Sequence, residues 1–269
     1  MNGGRIMKLL LIQNDVFKEI KDSLNNLENL LLSFKKERLD FIVFPEMFTT
    51  PYQIDLFNEY VQNDNSQVVK WLKDIAIRYE AYVIGGSVPE QINNNIYNTS
   101  YIFNRSGDLI KKYRKMNLFS VVYPDNSSFD EGAVLSPGEE IGVFATEFGV
   151  MGIMICFDIR FPILANEIMQ KEAKIIFVPG AFNDFTGPLH WETTFRARAI
   201  DNQLYMVGVS PSSNSYGTYK TYGHSLIVNP MGQVIKSLDR KQGVICMDIE
   251  LEEIEKVRKL IPIVYNKKI

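Results

Sequence analysis

Cysteine and histidine are scarce in this chain: 269 residues hold two of each. Two thiols cannot form a disulfide framework, and they fit a reducing, cytoplasmic setting better than a secreted one. Long apolar runs are missing too. The run Met7–Ile12 ends at Gln13-Asn14-Asp15, short for a secretion signal and far short of a membrane span. No excess of one charge is present, since 29 basic residues meet 32 acidic ones for a net charge of -3. The short basic runs Lys35-Lys36 and Lys111-Lys112 read as solvated surface. Without one broad basic face, no nucleic-acid partner is expected. A glycine-rich phosphate loop of either familiar pattern is absent. His190 and Glu192, two apart on a predicted helix, face different ways and find no third ligand, so no metal site is expected.

What is present is ordinary globular material, 46% hydrophobic and 23% charged. That composition supports a large core without metals or disulfides. Apolar runs alternate with amphipathic segments throughout. Strands are predicted at Met7–Gln13, Phe41–Phe44 and Ala81–Ser87, with helices from about Phe17 to Lys36 and from Ser66 to Tyr79. In the first helix Ile20, Leu24, Leu27 and Leu31 recur at helical spacing. Ile96–Asn104 and Leu109–Tyr113 form a predicted hairpin across Arg105-Ser-Gly-Asp108. The second half repeats the theme, with strands at Gly149–Cys156 and Lys174–Pro179 and helices at Pro162–Lys171 and Pro188–Asn202. Strands at Tyr205–Ser210, Gly223–Asn229, Gln233–Ser237 and Gly243–Ile249 lead to a charged helix from Glu250 to about Leu260. Within these strands Cys246 reads as a small core residue and His224 as a satisfied core group. No linker or composition break divides the chain. Residues 1–269 are therefore expected to form a single α/β domain, two sheets with helices outside.

Three chemically able residues stand where an apolar strand stops, a place from which side chains can face a crevice on rigid supports. Glu46 follows Phe41-Ile-Val-Phe-Pro45, Lys115 follows the hairpin strand containing Tyr113, and Cys156 follows Val150-Met-Gly-Ile-Met-Ile155. Taken singly, Glu46 could cap a turn, Lys115 could be a solvated charge and Cys156 could fill a core.

Together, in this order, the three resemble the catalytic Glu, Lys and Cys of the carbon–nitrogen hydrolase (nitrilase) superfamily. The matching segments are Phe44-Pro45-Glu46, Tyr113-Arg114-Lys115 and Cys156-Phe157-Asp158-Ile159-Arg160-Phe161-Pro162. Pro179-Gly-Ala-Phe-Asn183, Thr186-Gly-Pro-Leu-His-Trp-Glu192 and Arg196-Ala-Arg-Ala-Ile-Asp-Asn-Gln203 look most like the omega-amidase branch. The resemblance implies a four-layer α-β-β-α sandwich, a homodimer, and hydrolysis of a linear amide by way of a cysteine thioester, with no metal or organic cofactor. In that scheme Glu46 is the base for the Cys156 thiol, while Lys115 and the Phe157 N–H hold the oxyanion. Glu131, in Phe129-Asp-Glu-Gly132, matches a second family glutamate that orients the lysine and the amide. Tyr52, Phe182, Asn183 and Thr186 are the implied pocket residues, and Arg160 is expected to pair with a carboxylate inside the fold. The implied substrates are 2-oxo dicarboxylate monoamides such as 2-oxoglutaramate. Deaminated glutathione, another amide or nitrile, or a binding module without turnover are the alternatives. The chain departs from its relatives at Asn117, where many carry histidine, and across Ser120–Ser128.

Overall fold

The computed structural model describes residues 6–265 apart from Lys36. Lys36, where the first predicted helix and the Lys35-Lys36 run end, thus lies outside the described residues, as do residues 1–5 and 266–269. The chain opens with β1 (Ile6–Gln13), α1 (Ile20–Leu32), β2 (Phe41–Val43), α2 (Gln67–Tyr79) and β3 (Tyr82–Ile84). Strands β4 (Val88–Ile92), β5 (Asn95–Phe103) and β6 (Leu109–Arg114) follow, then the short β7 (Ser120–Val122) and β8 (Ser128–Asp130). The second half runs β9 (Val143–Thr146), β10 (Gly149–Ile153), α3 (Pro162–Gln170), β11 (Ile175–Pro179), α4 (Gly187–Asn202) and β12 (Tyr205–Val209). It closes with β13 (Leu226–Val228), β14 (Val234–Ser237), β15 (Gly243–Glu250) and α5 (Glu252–Leu260).

Two mixed sheets carry the fold. One has the order β15-β1-β2-β3-β5-β4, with β6 also paired to β5; the other runs β14-β13-β12-β11-β10-β9. Strand alternation sends side chains to opposite faces, and β1 uses both. Met7, Leu9 and Leu11 join the core shared with the second sheet, where the rings of Phe41 and Phe177 stack at 5.3 Å. Leu10 and Ile12 point the other way, into Leu24, Leu27 and Leu31 of α1 and Leu72 and Ile75 of α2. On the second sheet α4 comes so close to β12 that a Cβ at Gly208 would stand 2.6 Å from the Phe195 ring. The four-layer α-β-β-α arrangement follows.

Three expectations need correction. Cys246 is exposed. It lies on the edge strand β15, where Ile245 and Ile249 take the buried face and Cys246 the outer one. His224 precedes its strand: β13 begins at Leu226, and Gly223 and His224 both have positive φ, 71° and 59°. Its ring stacks on Tyr222 and is half-buried. Finally, β10 ends at Ile153, and Cys156 itself opens a single tight turn, Cys156–Arg160, with φ 48°. A left-handed backbone at a non-glycine residue is strained and is found at functional turns.

Candidate active site

The ends of three strands converge. Glu46 leaves β2 on a bend supported by the segment after β3, where Ser87 Oγ accepts from the Met47 N–H at 3.1 Å. The neighbouring Gly86 has φ 52°, and a Cβ there would lie 2.1 Å from the Pro45 carbonyl oxygen. Only glycine permits that approach. Lys115 follows β6, its N–H donating to Asn98 O on β5 at 2.9 Å. Cys156 stands on the strained turn beyond β10.

Glu46, Lys115 and Glu131 are all fully buried. Lys115 Nζ lies 3.0 Å from Glu46 Oε1 and 2.8 Å from Glu131 Oε2. The Cys156 thiol feels the same cluster, its titration shifted by Glu46, Lys115 and Glu131. Further donors fix both acids. The Asn98 amide and the Ala181 N–H each reach Glu46 at 2.8 Å, while the Tyr52 hydroxyl and the Phe119 N–H each reach Glu131 at 2.7 Å. Tyr52, expected as a pocket residue, therefore faces the two acids.

Charge is distributed unusually. Burial works against the Lys115 ammonium, but Glu131 and Glu46 outweigh it and hold the group well above the usual lysine range. Burial raises the Glu46 carboxyl, with Lys115 pulling back and the charge of Glu131 raising it further. Burial and the charge of Glu46 push the Cys156 thiol up, partly opposed by Lys115. At rest the thiol is thus held protonated.

Asp158 ties the lysine to the thiol. Its buried carboxylate accepts from the Tyr113 hydroxyl at 2.7 Å and the Ile155 N–H at 3.0 Å. It also accepts from the Asn117 N–H at 2.8 Å and the Asn117 side chain at 2.9 Å. Residues 113 and 117 flank Lys115, and residue 155 precedes Cys156. Asn98 and Asp158 were not singled out as site residues from sequence, although Asp158 shows there as an acid between Phe157 and Ile159.

Phe119, Cys156, Phe157, Arg160, Ala181, Phe182, Asn183, Thr186 and Tyr219 line a cavity of about 10 Å³, room for about one water. An outer hollow of about 500 Å³ shares Asn183 and Tyr219 with it and reaches Tyr123 and Phe185. Between the two, the Asn183 amide donates to the Tyr123 hydroxyl at 2.7 Å. Its carbonyl oxygen accepts from the Thr186 N–H at 2.9 Å and the Thr186 hydroxyl at 3.1 Å.

Arg160 is not paired to a carboxylate among the described residues, contrary to expectation. Asp158, two residues away, is turned inward, and Asp201 meets Arg198 at 3.4 Å instead. Arg160 Nη1 contacts His190 Nδ1 at 2.8 Å, and the guanidinium lies over the Phe182 ring at 4.6 Å. Its Nε is buried with no partner among the described residues. Glu192 points elsewhere, toward Arg196 at 3.4 Å.

The sequence profile described as "Carbon-nitrogen hydrolase" matches residues 11–259. The chain belongs to that family. This carbon–nitrogen hydrolase, an enzyme acting on amides, is 38% identical over 256 residues to Omega-amidase NIT2 of Xenopus tropicalis, covering 95% of this chain and 93% of the relative. With Omega-amidase NIT2 of Mus musculus it shares 35% identity over 261 residues, covering 97% and 95%. Among solved structures it resembles Saccharomyces cerevisiae Nit3, a member of branch 10 of the nitrilase superfamily. The TM-score is 0.88 at 33% identity, with 98% of this chain and 97% of that one covered.

Proposed function

We propose that this enzyme hydrolyses the terminal amide of short 2-oxo dicarboxylate monoamides such as 2-oxoglutaramate, by way of a Cys156 thioester. The relatives named omega-amidase support the substrate class. The observation that carries it is Arg160, a guanidinium in the wall of the thiol cavity with no acidic partner among the described residues. A planar fork with open donors suits a carboxylate.

In this reading Glu46 takes the Cys156 proton as sulfur bonds to the amide carbon. Lys115 and the Phe157 N–H receive the developing oxyanion, each such donor worth roughly 3–4 kcal/mol. Collapse breaks the C–N bond, and the leaving nitrogen takes the proton from Glu46 to depart as ammonia. Water then adds to the thioester, giving its proton to Glu46, and the second collapse returns that proton to the thiolate. Glu131 keeps Lys115 charged and aimed, while Phe182, Asn183 and Thr186 shape the acyl site. Such acid–base help contributes about 10²–10⁴-fold.

Ammonia release from 2-oxoglutaramate, 2-oxosuccinamate, deaminated glutathione and a nitrile tests the reading. We expect the two 2-oxo monoamides to lead, and a preference of about tenfold or more for deaminated glutathione overturns the substrate. Cys156→Ala is expected to stay folded and lose turnover. Among the described residues no helix is long and apolar enough to cross a membrane. The two free thiols support a cytoplasmic setting. We also infer one catalytic domain and a homodimer, which family membership supports and light scattering checks.

A further inference from the structure

We propose that His190 is a positioning residue that aims Arg160 at the substrate carboxylate without neutralising it. The proposal rests on the acid-bearing amide inferred above.

A guanidinium can only donate, so the 2.8 Å contact of Arg160 Nη1 with His190 Nδ1 requires a lone pair on that nitrogen. His190 is therefore held as the neutral imidazole with its proton on Nε2. Other arginines of this molecule are held differently. Arg105 meets Asp40 and Glu147, Arg114 meets Glu90, and Arg240 meets Asp184. Each of those pairs fixes the guanidinium but cancels its charge. At Arg160 the same geometric task falls to a neutral acceptor and to aromatic faces, Phe182 at 4.6 Å and Phe157 at 5.6 Å.

The support is rigid. His190 lies in the first turn of α4, where its N–H donates to Thr186 O at 2.9 Å and its carbonyl accepts from the Thr194 hydroxyl at 2.7 Å. The Phe182 ring beneath Arg160 packs edge-on against Trp191, which is buried. Arg160 keeps its charge and its buried, unpartnered Nε while its orientation is set from behind. Among the described residues no acid meets this guanidinium, so an incoming carboxylate would be its first.

The test compares His190→Ala, His190→Gln and His190→Glu, with Arg160→Gln as reference. Two amides are used: 2-oxoglutaramate and 4-oxopentanamide, in which methyl replaces the carboxylate. His190→Ala is expected to raise KM for 2-oxoglutaramate about tenfold, with kcat and the 4-oxopentanamide kcat/KM held within about twofold. Glutamine, whose carbonyl oxygen can accept from Nη1, should keep most of the selectivity, and glutamate, which adds a competing charge, should lose it. Equal losses on both amides, or unchanged selectivity in His190→Ala and His190→Glu while Arg160→Gln abolishes it, overturn the proposal. If Arg160→Gln leaves the two amides equally discriminated, the acid-bearing reading falls, and this proposal with it. Should the alanine variant not fold, the glutamine and glutamate enzymes decide: equal selectivity in those two overturns it.

Discussion

The Tyr113 hydroxyl donates to Asp158 Oδ2 at 2.7 Å, joining the strand that delivers Lys115 to the turn that presents Cys156. Asp158 has four donors on its two oxygens and, among the described residues, no cation in contact. Burial raises its carboxyl, opposed by those hydrogen bonds. Asparagine in its place would turn an NH2 group toward at least one N–H or O–H donor. We expect Asp158→Asn to lower kcat at least about tenfold while KM moves little, because an unsatisfied buried donor costs about 1–3 kcal/mol and shifts Lys115 against Cys156. Steady-state kinetics at a temperature where circular dichroism shows full folding make the comparison. An unchanged kcat would reduce Asp158 to a stability residue.

Leu27 is fully buried between α1 and the first sheet, packed with Leu10, Ile42 and Leu31. Truncation leaves a cavity that a helix pinned at several points cannot close. Leu27→Ala should cost about 2–5 kcal/mol in a urea titration and leave kcat unchanged, since α1 supplies no group to the site. A loss under about 1 kcal/mol would mean that α1 is loosely attached.

That leucine also shows which parts of the fold were legible. Leu24, Leu27 and Leu31 repeat at helical spacing, and α1 buries all three. Strands β4, β7, β8 and β9 were not read from the sequence. β4 carries Pro89 and Glu90, and Glu90 is buried only because Arg114 and Lys112 reach it from β6. β7 and β8 are two-sided and mostly exposed, so they leave no periodic trace. Glu46, Lys115, Glu131 and Cys156 could be named because each follows an apolar strand or matches a family segment. The left-handed turn at Cys156 carries no glycine to announce it. Arg160 was misread because the acid nearest it in sequence, Asp158, is taken up by Tyr113, Asn117 and Ile155.

The entrance gives a third expectation. Tyr123 and Asn183 join across the gap between the outer hollow and the thiol cavity. Tyr123→Phe removes one neutral hydrogen bond, worth about 1 kcal/mol, and should speed alkylation of Cys156 by iodoacetamide about threefold to fivefold. Cys246 is exposed and would also react, so the measurement belongs in a Cys246→Ser background. An unchanged rate would place the barrier elsewhere in the wall.

The last expectation concerns pH. In the proposed mechanism only ionised Glu46 can accept the thiol proton, so kcat/KM is expected to fall as pH drops through its pKa. Burial raises that pKa, so the fall begins above the pH at which an ordinary carboxylate would titrate. The charge of Glu131 raises it further. Glutamine at 131 removes that charge and leaves Lys115 beside Glu46, so the Glu131→Gln acid limb should move to lower pH. The same change takes one carboxylate from Lys115, whose ammonium then rests on Glu46 alone, and kcat should fall about 10-fold or more. Two opposite movements, a slower enzyme with a more acidic limb, separate this from general damage, which lowers the rate without shifting the profile. A limb that stays in place or moves to higher pH would show that the acid limb belongs to a group other than Glu46.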